Sequence, residues 1–293
     1  MMSFQTYKCR HGLLSHYDSD NTIGSSLRLY GEWAEQEIFL FSKYVQPGAT
    51  FIDVGSNIGS HTVAVSKIIG DAGIVYSLEA QHAIFQILGM NILLNNAKNI
   101  IALHGLVGSD LHSEYIPYEN KYDNQNYGAK SYVKHKPERQ ENTVPILGIS
   151  IDSLNLKKCD FIKIDVEGME LDVILGAIKT INQSRPYVYF EQNSSRNLEN
   201  IFLCLREKGY RLYWHVSNPF NANNFNNYSV NIFGGTCCVN IFAVPDSRKL
   251  YNDPIFRLIE IDNPIYDPIM LENSIKGWEL PFNAYNNLGY TPL

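Results

Sequence analysis

Positively charged blocks and long apolar runs are both missing from this sequence of 293 residues. Lysine and arginine number 24 against 30 aspartates and glutamates, which gives a net charge of −6 and a pI of about 5.8. A chain without a basic block does not favour the phosphate backbone of a nucleic acid. No run of eighteen apolar residues occurs, and the N-terminal stretch lacks the apolar core of a secretory signal. We therefore expect no nucleic-acid partner, no membrane span and a cytoplasmic location.

Cysteine is also scarce. The five cysteines are an odd number, and their spacing is not that of a metal site. Cys237 and Cys238 are adjacent in a strand-like run, where neighbouring side chains point to opposite faces, so a disulfide between them is disfavoured. This usage fits a reduced, cytoplasmic protein. Apolar residues make up 45% and charged residues 18% of the chain, as in ordinary globular proteins with one large core.

The stretch FIDVGSNIGSHT, residues 51–62, has the order of a buried strand, a glycine turn and a helix. A glycine turn lets the backbone approach a ligand closely. Two phosphate-binding patterns are missing from it. The spacing Gly55-x-x-x-Gly59 is not the G-x-G-x-x-G of dinucleotide-binding proteins, and no Gly-Lys-Ser/Thr follows as in a phosphate loop. Neither NAD nor ATP is therefore the expected ligand.

Strand-like and helix-like segments alternate along the chain. Further strands are predicted at 73–80, 99–108, 149–154 (a short edge segment), 161–168, 186–193, 210–216 and 237–245, and further helices at 82–96, 169–181 and 198–209. This alternation predicts an α/β sandwich with a mostly parallel, seven-stranded sheet and helices on both faces. We expect an N-terminal cap at 1–46, a main domain at 47–245 with a hairpin-like insertion at about 109–150, and a C-terminal extension at 246–293.

Ligands of such sheets bind beyond the carboxyl ends of the strands. Six polar or glycine residues fall there: Asp53, Gly55, Glu79, Gly108, Asp165 and Glu191. Glu79 lies 24 residues after Gly55, where a carboxylate accepts hydrogen bonds from both hydroxyls of a ribose. A ribose-binding acid without a phosphate pattern predicts a nucleoside ligand that has no phosphates. S-adenosylmethionine is the ligand we expect.

The two ends of this donor would meet different groups. Asp53 is expected to attract its ammonium, directly or through water, and backbone N–H groups near Gly55 and Asn57 are expected to meet its carboxylate. The same turn and strand ends add four further predicted donor contacts: Ser56, Gly59, Ala80 and Gly108.

Five segments together resemble the FkbM family of methyltransferases: FIDVGSNIGSHT, VYSLEAQHAIFQILGMNILLNN, ISIDSL, DFIKIDVEGMELDVILGA and PYVYFEQN. The resemblance covers residues 47–193, and its most specific part is KIDVEGMELDVILGA. It implies a class I, Rossmann-like methyltransferase fold, S-adenosylmethionine as methyl donor and a hydroxyl acceptor, often on a sugar or a polyketide. Ser56 stands where the family more often has alanine, and Ala80-Gln81 stands where proline often follows the acid.

Transfer to a hydroxyl needs a group that takes the proton. Asp165 is the leading candidate, because it ends the strand expected beside the glycine turn, and Glu191 ends the next strand. Lys163 lies on the same strand face as Asp165, and a buried lysine needs an acidic partner, so we expect it to orient an acid. His215 is an alternative base. A purely structural ion network of Lys163, Asp165 and Glu191 stays open.

A metal is a second possibility at these strand ends. Asp165, Glu167 and Glu191 could supply oxygens to Mg²⁺, which would lower the pKa of the acceptor hydroxyl. The acid at position 167 is explained equally well by the dipole of the helix that follows it. We therefore predict no metal.

The stretch WHVSNPFNANNFNNYSVNIFGG, residues 214–235, has six asparagines between Asn218 and Asn227, interleaved with Phe220 and Phe225. Aromatic faces and amides suit a sugar, although such stretches are often flexible polar loops. We expect an O-methyltransferase that acts on a sugar or glycan hydroxyl. A polyketide or other small-metabolite acceptor is an alternative, as is a non-catalytic nucleotide-binding protein on the same fold. A dehydrogenase is disfavoured by the glycine spacing.

Overall fold

The computed structural model describes residues 3–110, 113–117, 143–192, 197–251, 256 and 258–261. The N-terminal segment forms a hairpin of β1 (Phe4–Cys9) and β2 (Gly12–Tyr17), followed by α1 (Ile23–Tyr30) and α2 (Glu35–Tyr44). The remaining elements are, in chain order, β3 (Thr50–Val54), α3 (Ser60–Ile69), β4 (Ile74–Glu79), α4 (His82–Leu94), β5 (Ile100–His104), β6 (Leu106–Val107), β7 (Ser113–Pro117), β8 (Thr143–Ile149), β9 (Phe161–Ile164), α5 (Glu170–Leu175), α6 (Ile178–Ser184), β10 (Tyr187–Glu191), α7 (Leu198–Glu207), β11 (Tyr210–Ser217), β12 (Cys238–Pro245) and β13 (Ile259–Glu260).

The main sheet has eight strands in the order β13-β11-β12-β10-β9-β3-β4-β5. Strands β10, β9, β3, β4 and β5 are parallel, and β12, β11 and β13 are added antiparallel. The seven predicted strands of a class I methyltransferase sheet are present, and the two-residue β13 is an extra edge strand. The α/β prediction is therefore confirmed.

Helices cover both faces of the main sheet, and the strand sequences show why. On β3, Phe51 packs in a core with residues of α2 and α3, such as Phe41 and Val65. Its neighbour Ile52 packs on the other face in a core with residues of α5, α6 and α7, such as Val173. Side chains alternate between faces along a strand, so a sheet covered on both faces needs apolar residues at nearly every position.

Three predicted elements differ from the structure. The strand predicted at 99–108 is broken at Gly105, where an added Cβ would lie 2.3 Å from Ile149 Cδ1. Beyond this close contact, β6 leaves the main sheet and pairs with β8 in a three-stranded sheet, β6-β8-β7. The edge segment predicted at 149–154 is a 3₁₀ helix, Ile151–Leu154, because the Ser150 side chain accepts a hydrogen bond from the Ser153 N–H.

The helix predicted at 169–181 is two helices, α5 and α6. At the break, an added Cβ on Gly176 would lie 2.0 Å from the carbonyl oxygen of Gly108. The start of α6 is fixed by Asp152, whose carboxylate accepts hydrogen bonds from the N–H groups of Lys179 at 2.9 Å and Thr180 at 2.7 Å. Capping by a residue from another element cannot be read from helical periodicity.

The N-terminal segment is tied to the main body rather than separate from it. Leu14 and Leu27 form a small core with Ile87 of α4, while α2 packs directly on the main sheet. Residues 118–142 of the predicted insertion, and residues 262–293 of the predicted extension, lie outside the described residues. None of the helices in the described ranges combines the length and apolar character needed to cross a membrane.

Candidate active site

A cavity of about 280 Å³ opens at the carboxyl ends of β3, β4, β9 and β10. Its inner wall consists of residues at or just after these strand ends, chiefly Gly55, Ser56, Asn57, Glu79, Ala80, Lys163, Asp165, Glu167 and Glu191. Its outer wall comes from the N-terminal segment and the Asn-rich stretch, chiefly Thr22, Ile23, Trp33, Pro219, Phe233, Thr236 and Cys237. The cavity lies where strand order reverses, because β3 has β4 on one side and β9 on the other.

Gly55 is a glycine because the end of β9 approaches it closely. Its φ is +72°, and an added Cβ would lie 1.8 Å from the carbonyl oxygen of Asp165. Any other residue would therefore push apart β3 and β9, the two strands that carry Asp53 and Lys163. The position was predicted to bring the backbone near a ligand, and the structure shows that it also brings two strand ends together.

The N–H groups of the glycine turn are already used within the protein. Gly55 and Ser56 donate to the Leu78 carbonyl oxygen at 2.9 and 3.0 Å. Asn57 donates to Glu79 Oε2 at 2.9 Å, and Ile58 donates to the side chain of Asn57 at 2.7 Å. These hydrogen bonds do not support the expectation that N–H groups near Gly55 and Asn57 meet the donor carboxylate, which stays a prediction. The turn is held by hydrogen bonds that a spacing pattern does not reveal.

Glu79 lies in the cavity wall and is only 5% exposed. Each of its carboxylate oxygens accepts one backbone hydrogen bond, Oε2 from Asn57 and Oε1 from Gln81 at 2.7 Å. Burial raises its pKa to about 7, although the N–H groups of Gln81 and Asn57 and the charge of Lys163 act to lower it. Each oxygen keeps a lone pair for a ligand hydroxyl. The side chain is therefore fixed and oriented before any ligand binds.

Asp53 does not line the cavity. It is fully buried, with Oδ2 accepting a hydrogen bond from Thr62 Oγ1 at 2.6 Å and Oδ1 lying 3.2 Å from Lys163 Nζ. Direct contact with a donor ammonium, one form of the prediction, is not possible in this arrangement, because Asp53 sits behind the wall. Its observed role is to anchor Lys163.

Lys163 bridges two acids and the glycine turn. Its ammonium lies 3.2 Å from Asp53, 3.3 Å from Asp165 Oδ2, and donates to the Gly55 carbonyl oxygen at 3.2 Å. Burial alone would lower the pKa of Lys163, but the charges of Asp53 and Asp165 outweigh it and raise the pKa. Lys163 is therefore a buried cation that holds Asp165 at the cavity edge.

Three carboxylates meet at the ends of β9 and β10. Asp165, Glu167 and Glu191 each supply an oxygen, and these oxygens lie within 4.8 Å of one another. Carboxylate oxygens at such separations fit a divalent cation of the Mg²⁺ type. They equally fit a group that receives a proton, because mutual repulsion favours protonation of one member.

Glu167 is the acid of this cluster that is tuned towards neutral pH. Burial raises its pKa to about 7, with further increases from the charges of Asp165 and Glu170. Its backbone has a left-handed φ of +48°, followed by Gly168 at +98°. After this turn the Glu167 side chain lines the cavity. A role in stabilising the helix dipole would instead place it at the start of the helix.

His215 does not line the cavity. It is 1% exposed, its Nδ1 is 2.8 Å from the Tyr189 hydroxyl, and burial lowers its pKa to about 4. The prediction of His215 as a base at the site is therefore corrected. The histidine in the cavity wall is His61, at the start of α3, with Nε2 lying 3.4 Å from Glu37 Oε2.

Two predicted donor-contact glycines also lie outside the cavity wall. Gly59 has a φ of +86° and forms the turn into α3, where an added Cβ would lie 2.6 Å from Leu88 Cδ1. Gly108 follows β6, and its N–H donates to the Ile149 carbonyl oxygen at 3.0 Å. Gly59 therefore serves a turn and close packing. Gly108 lies away from the main sheet, because the predicted strand is broken before it.

The Asn-rich stretch is bound to the N-terminal segment. Buried Glu32 accepts hydrogen bonds from the Asn221 side chain at 2.8 Å and from the Phe225 N–H at 2.9 Å. Arg10 donates to the same glutamate at 2.7 Å and to the Asn223 carbonyl oxygen at 2.7 Å. These residues are therefore structural, and neither Phe225 nor the asparagines at 221–224 lines the cavity.

The aromatic residues that do line the cavity are Trp33 and Phe233. No sequence pattern indicates Trp33, which follows α1 in a segment of ordinary composition. Phe233 lies inside the Asn-rich stretch, but the alternation of asparagine and phenylalanine indicates residues 218–227, which precede it.

Comparison with known proteins places these features in a family. The family model described as "Methyltransferase FkbM domain" matches residues 53–212, more than half of the chain. No curated protein matches the chain by sequence. The match includes the glycine turn, Glu79, and the strand ends that carry Asp165 and Glu191.

Solved structures with a similar arrangement are distant in sequence. An FkbM methyltransferase from Methylobacillus flagellatus is 16% identical, with a TM-score of 0.47 over 70% of this chain and 47% of that chain, so this chain matches about half of its length. A precorrin-6y C5,15-methyltransferase from Geobacter metallireducens is 12% identical, with a TM-score of 0.45 over 72% of this chain and 86% of that chain. An O-methyltransferase from Bacillus cereus, in complex with S-adenosylhomocysteine, is 14% identical, with a TM-score of 0.42 over 73% of this chain and 80% of that chain.

Similarity at this level carries no information about the acceptor. The family match and the topology of the main sheet do identify the methyl donor. The chain belongs to the FkbM methyltransferase family and uses S-adenosylmethionine as its methyl donor.

Proposed function

We propose that the chain transfers the methyl group of S-adenosylmethionine to a hydroxyl of a sugar or glycan. The observation that carries this proposal is the meeting of Asp165, Glu167 and Glu191 in the same cavity as Glu79. A ribose-binding acid and a proton-accepting cluster are the two parts that an O-methyltransferase needs. The inner wall supplies both.

In this proposal the donor lies along the inner wall. Glu79 accepts the two ribose hydroxyls, and Ser56, Asn57 and Ala80 line the nucleoside. The turn N–H groups already donate to Leu78 and Glu79. The donor carboxylate would therefore lie near the start of α3, whose Ser60 and His61 line the cavity. The positive end of a helix dipole favours an anion there. The sulfonium methyl then points to Asp165 and the open part of the cavity.

The chemical step is a displacement at the methyl carbon. A new O–C bond forms as the C–S bond breaks, the electron pair of that bond goes to sulfur, and S-adenosylhomocysteine leaves. The acceptor hydroxyl must lose its proton, and the acid cluster takes it. Alignment of oxygen, carbon and sulfur supplies much of the rate, and a positioned base adds about 10²–10⁴-fold.

Within the cluster the three acids would share the work. Asp165, held by Lys163, positions the hydroxyl, and Glu167 suits proton acceptance near neutral pH because its pKa is about 7. Glu191 completes the cluster from the neighbouring strand. Lys163 is proposed to hold Asp165 in place from the inner wall.

The asparagines of the Asn-rich stretch hold the N-terminal segment. The sugar proposal therefore depends on the outer wall and on the hydroxyl chemistry of the acid cluster.

We also propose that the chain divides into residues 1–46, 47–245 and 246–293. We propose a cytoplasmic location as well, and the five free cysteines support this location.

The test compares isosteric variants of the three acids, using labelled donor and a panel of glycans and glycosides. Asp165→Asn and Glu167→Gln should each lose about 10²–10⁴-fold in kcat, with the affinity for S-adenosylhomocysteine unchanged. The rate should rise with pH through about 7 in the parent protein, because the base must be ionised, and this rise should vanish in Glu167→Gln. Asp71→Asn, an exposed turn acid, is the matched control.

Three outcomes would contradict parts of the proposal. Full activity of both Asp165→Asn and Glu167→Gln would show that the cluster is a structural ion network. Loss of activity with a chelator and recovery with Mg²⁺ would make the cluster a metal site, with the same acids as ligands. Methylation of a polyketide-type alcohol but of no glycan would move the acceptor to the alternative class.

A further inference from the structure

The outer wall carries a fixed pair of aromatic rings. The rings of Trp33 and Phe233 meet edge to face, with centroids 5.8 Å apart and an interplanar angle of 69°. Tyr30 also packs against Phe233, with ring centroids 6.0 Å apart. The Tyr30 hydroxyl donates to the Val230 carbonyl oxygen at 2.9 Å and accepts from the Ile232 N–H at 2.8 Å. These two hydrogen bonds fix the backbone that leads into Phe233, and so hold its ring in place.

The N-terminal segment and the Asn-rich stretch fix this wall together. Trp33 is flanked by Glu32, which binds Arg10, Asn221 and the backbone of residue 225. All of these groups are buried or partly buried, so the wall has its shape before an acceptor arrives. A preformed aromatic surface lowers the cost of ordering on binding.

The charge of the cavity is strongly one-sided. Four carboxylates line it, those of Glu79, Asp165, Glu167 and Glu191, and Lys163 is the one lysine or arginine among the described lining residues. Lys163 is already shared by Asp53 and Asp165. The donor adds a net single positive charge from its sulfonium, ammonium and carboxylate, so the occupied cavity still has an excess of negative charge.

From the rings and the charge we infer that the outer wall is the acceptor subsite for an uncharged, hydroxylated ring, and that it excludes phosphorylated acceptors. The inference rests on the proposed function and narrows its substrate class. An apolar ring face packs against Trp33 and Phe233, and hydroxyls reach the acid cluster opposite. A phosphate would need a free cation or aimed N–H donors, and it would instead meet carboxylates in a poorly solvated space. Nucleotide sugars, sugar phosphates and RNA are thereby disfavoured.

The test measures binding by saturation-transfer NMR, with S-adenosylhomocysteine present at saturation. The probes are neutral methyl hexopyranosides and methyl 6-deoxyhexopyranosides, each paired with the corresponding sugar 1-phosphate. We expect saturable binding of at least one neutral glycoside, and binding of its 1-phosphate partner about tenfold weaker or more at low salt. The difference should shrink as salt rises. Equal or tighter binding of the phosphate, or no saturable signal from any neutral glycoside, would overturn the inference.

Matched variants locate the binding. Trp33→Ala and Phe233→Ala should each weaken glycoside binding by about tenfold, with S-adenosylhomocysteine affinity within twofold of the parent. Trp33→Phe keeps a ring and should recover most of the binding, which guards against misfolding as the cause. Phe225→Ala removes an aromatic ring of the same stretch outside the cavity and should bind as the parent does. If Trp33→Ala and Phe225→Ala behave alike, the rings are not the subsite.

Failure of this inference is distinguishable from failure of the proposed function. Glycoside binding at Trp33 without any methyl transfer would leave the subsite standing and remove the transfer proposal. Methyl transfer to a phosphorylated sugar would support the transfer proposal and contradict the proposed exclusion of phosphorylated acceptors.

Discussion

The sharpest prediction concerns Glu79, whose carboxylate is placed and buried before the donor binds. The change is Glu79→Gln, which keeps the size of the side chain but removes its charge. Two ribose hydroxyls that donate to an ionised acid contribute about 1.5–3 kcal/mol each. One of the two backbone N–H groups, from Asn57 or Gln81, would also face an amide NH₂ instead of an oxygen. We expect the affinity for S-adenosylhomocysteine to fall by about 10²–10⁴-fold.

The pH dependence gives the same prediction a second, independent readout. Ribose hydroxyls bind the ionised form of Glu79 better, and its pKa in the free protein is about 7. The parent protein should therefore lose affinity as pH falls below 7, by about tenfold between pH 8 and pH 6. Glu79→Gln should bind with the same weak affinity across this range, because it has no proton to exchange there.

Stability should change in the opposite direction to binding. Because the folded pKa of Glu79 is raised from 4.5 to about 7, its contribution to stability is fully present below pH 4.5 and is lost as pH rises through 7. Each pKa unit corresponds to about 1.4 kcal/mol, so the ligand-free protein pays on the order of 3 kcal/mol above pH 7. Bound donor should offset this loss.

The assay is isothermal titration calorimetry with S-adenosylhomocysteine at pH 6, 7 and 8. Glu199→Gln, an exposed acid on α7, is the matched control and should follow the parent. The ribose assignment would be refuted by a parent affinity that is flat over this range together with a Glu79→Gln affinity within threefold of the parent.

Two further predictions test the framework that positions the site. Gly55→Ala should lower Tm and abolish donor binding, because its Cβ would lie 1.8 Å from the Asp165 carbonyl oxygen. The control is Gly48→Ala, which has a similar φ of +80° but no atom nearer than 3.9 Å to its Cβ, so it should lower Tm only by the backbone strain. Equal losses of Tm in the two variants would show that strain alone explains the glycine at position 55. Lys163→Met should destabilise the fold by about 3–5 kcal/mol in chemical denaturation, because Asp53 is left buried without its partner, and adding Asp53→Asn should recover part of this loss; no recovery would show that the pair is not coupled.

The sheet and the inner wall were predictable because their signals are local. Apolar runs that end in an acid or a glycine identify β3, β4, β9 and β10, and parallel strands bring those ends to one edge. The pairing of Lys163 with an acid followed from the period of two along β9. These inferences need only the sequence within an element and the rules by which elements pack.

The outer wall was not predictable, because its contacts join distant parts of the chain. Arg10 and Asn223 are 213 residues apart, and no pattern within either segment indicates that they meet. The same limit explains the misassigned histidine. His215 stands at the start of the Asn-rich stretch in the sequence, yet the register of β11 buries it beside Tyr189. His61 instead reaches the cavity from the first turn of α3.

The hydrogen bonds of the glycine turn show a different limit. The spacing of Gly55 and Gly59 predicts a turn, but it does not tell which partner each N–H finds. In the structure the partners are Leu78 and Glu79 of the neighbouring strand. Glu79, the acid that we expect to bind the ribose, thus also closes the turn. Donor recognition would then be coupled to the shape of the inner wall.

The most direct test of the central claim follows the methyl group itself. The protein is incubated with S-adenosylmethionine labelled with carbon-13 in its methyl group and with the neutral glycoside that binds best, and the product is examined by NMR. We expect one labelled methyl carbon in the methyl-ether region, coupled through oxygen to a sugar C–H, and we expect this signal to be absent with Asp165→Asn. A labelled methyl group on nitrogen or carbon, or transfer that persists unchanged in Asp165→Asn and Glu167→Gln, would contradict it.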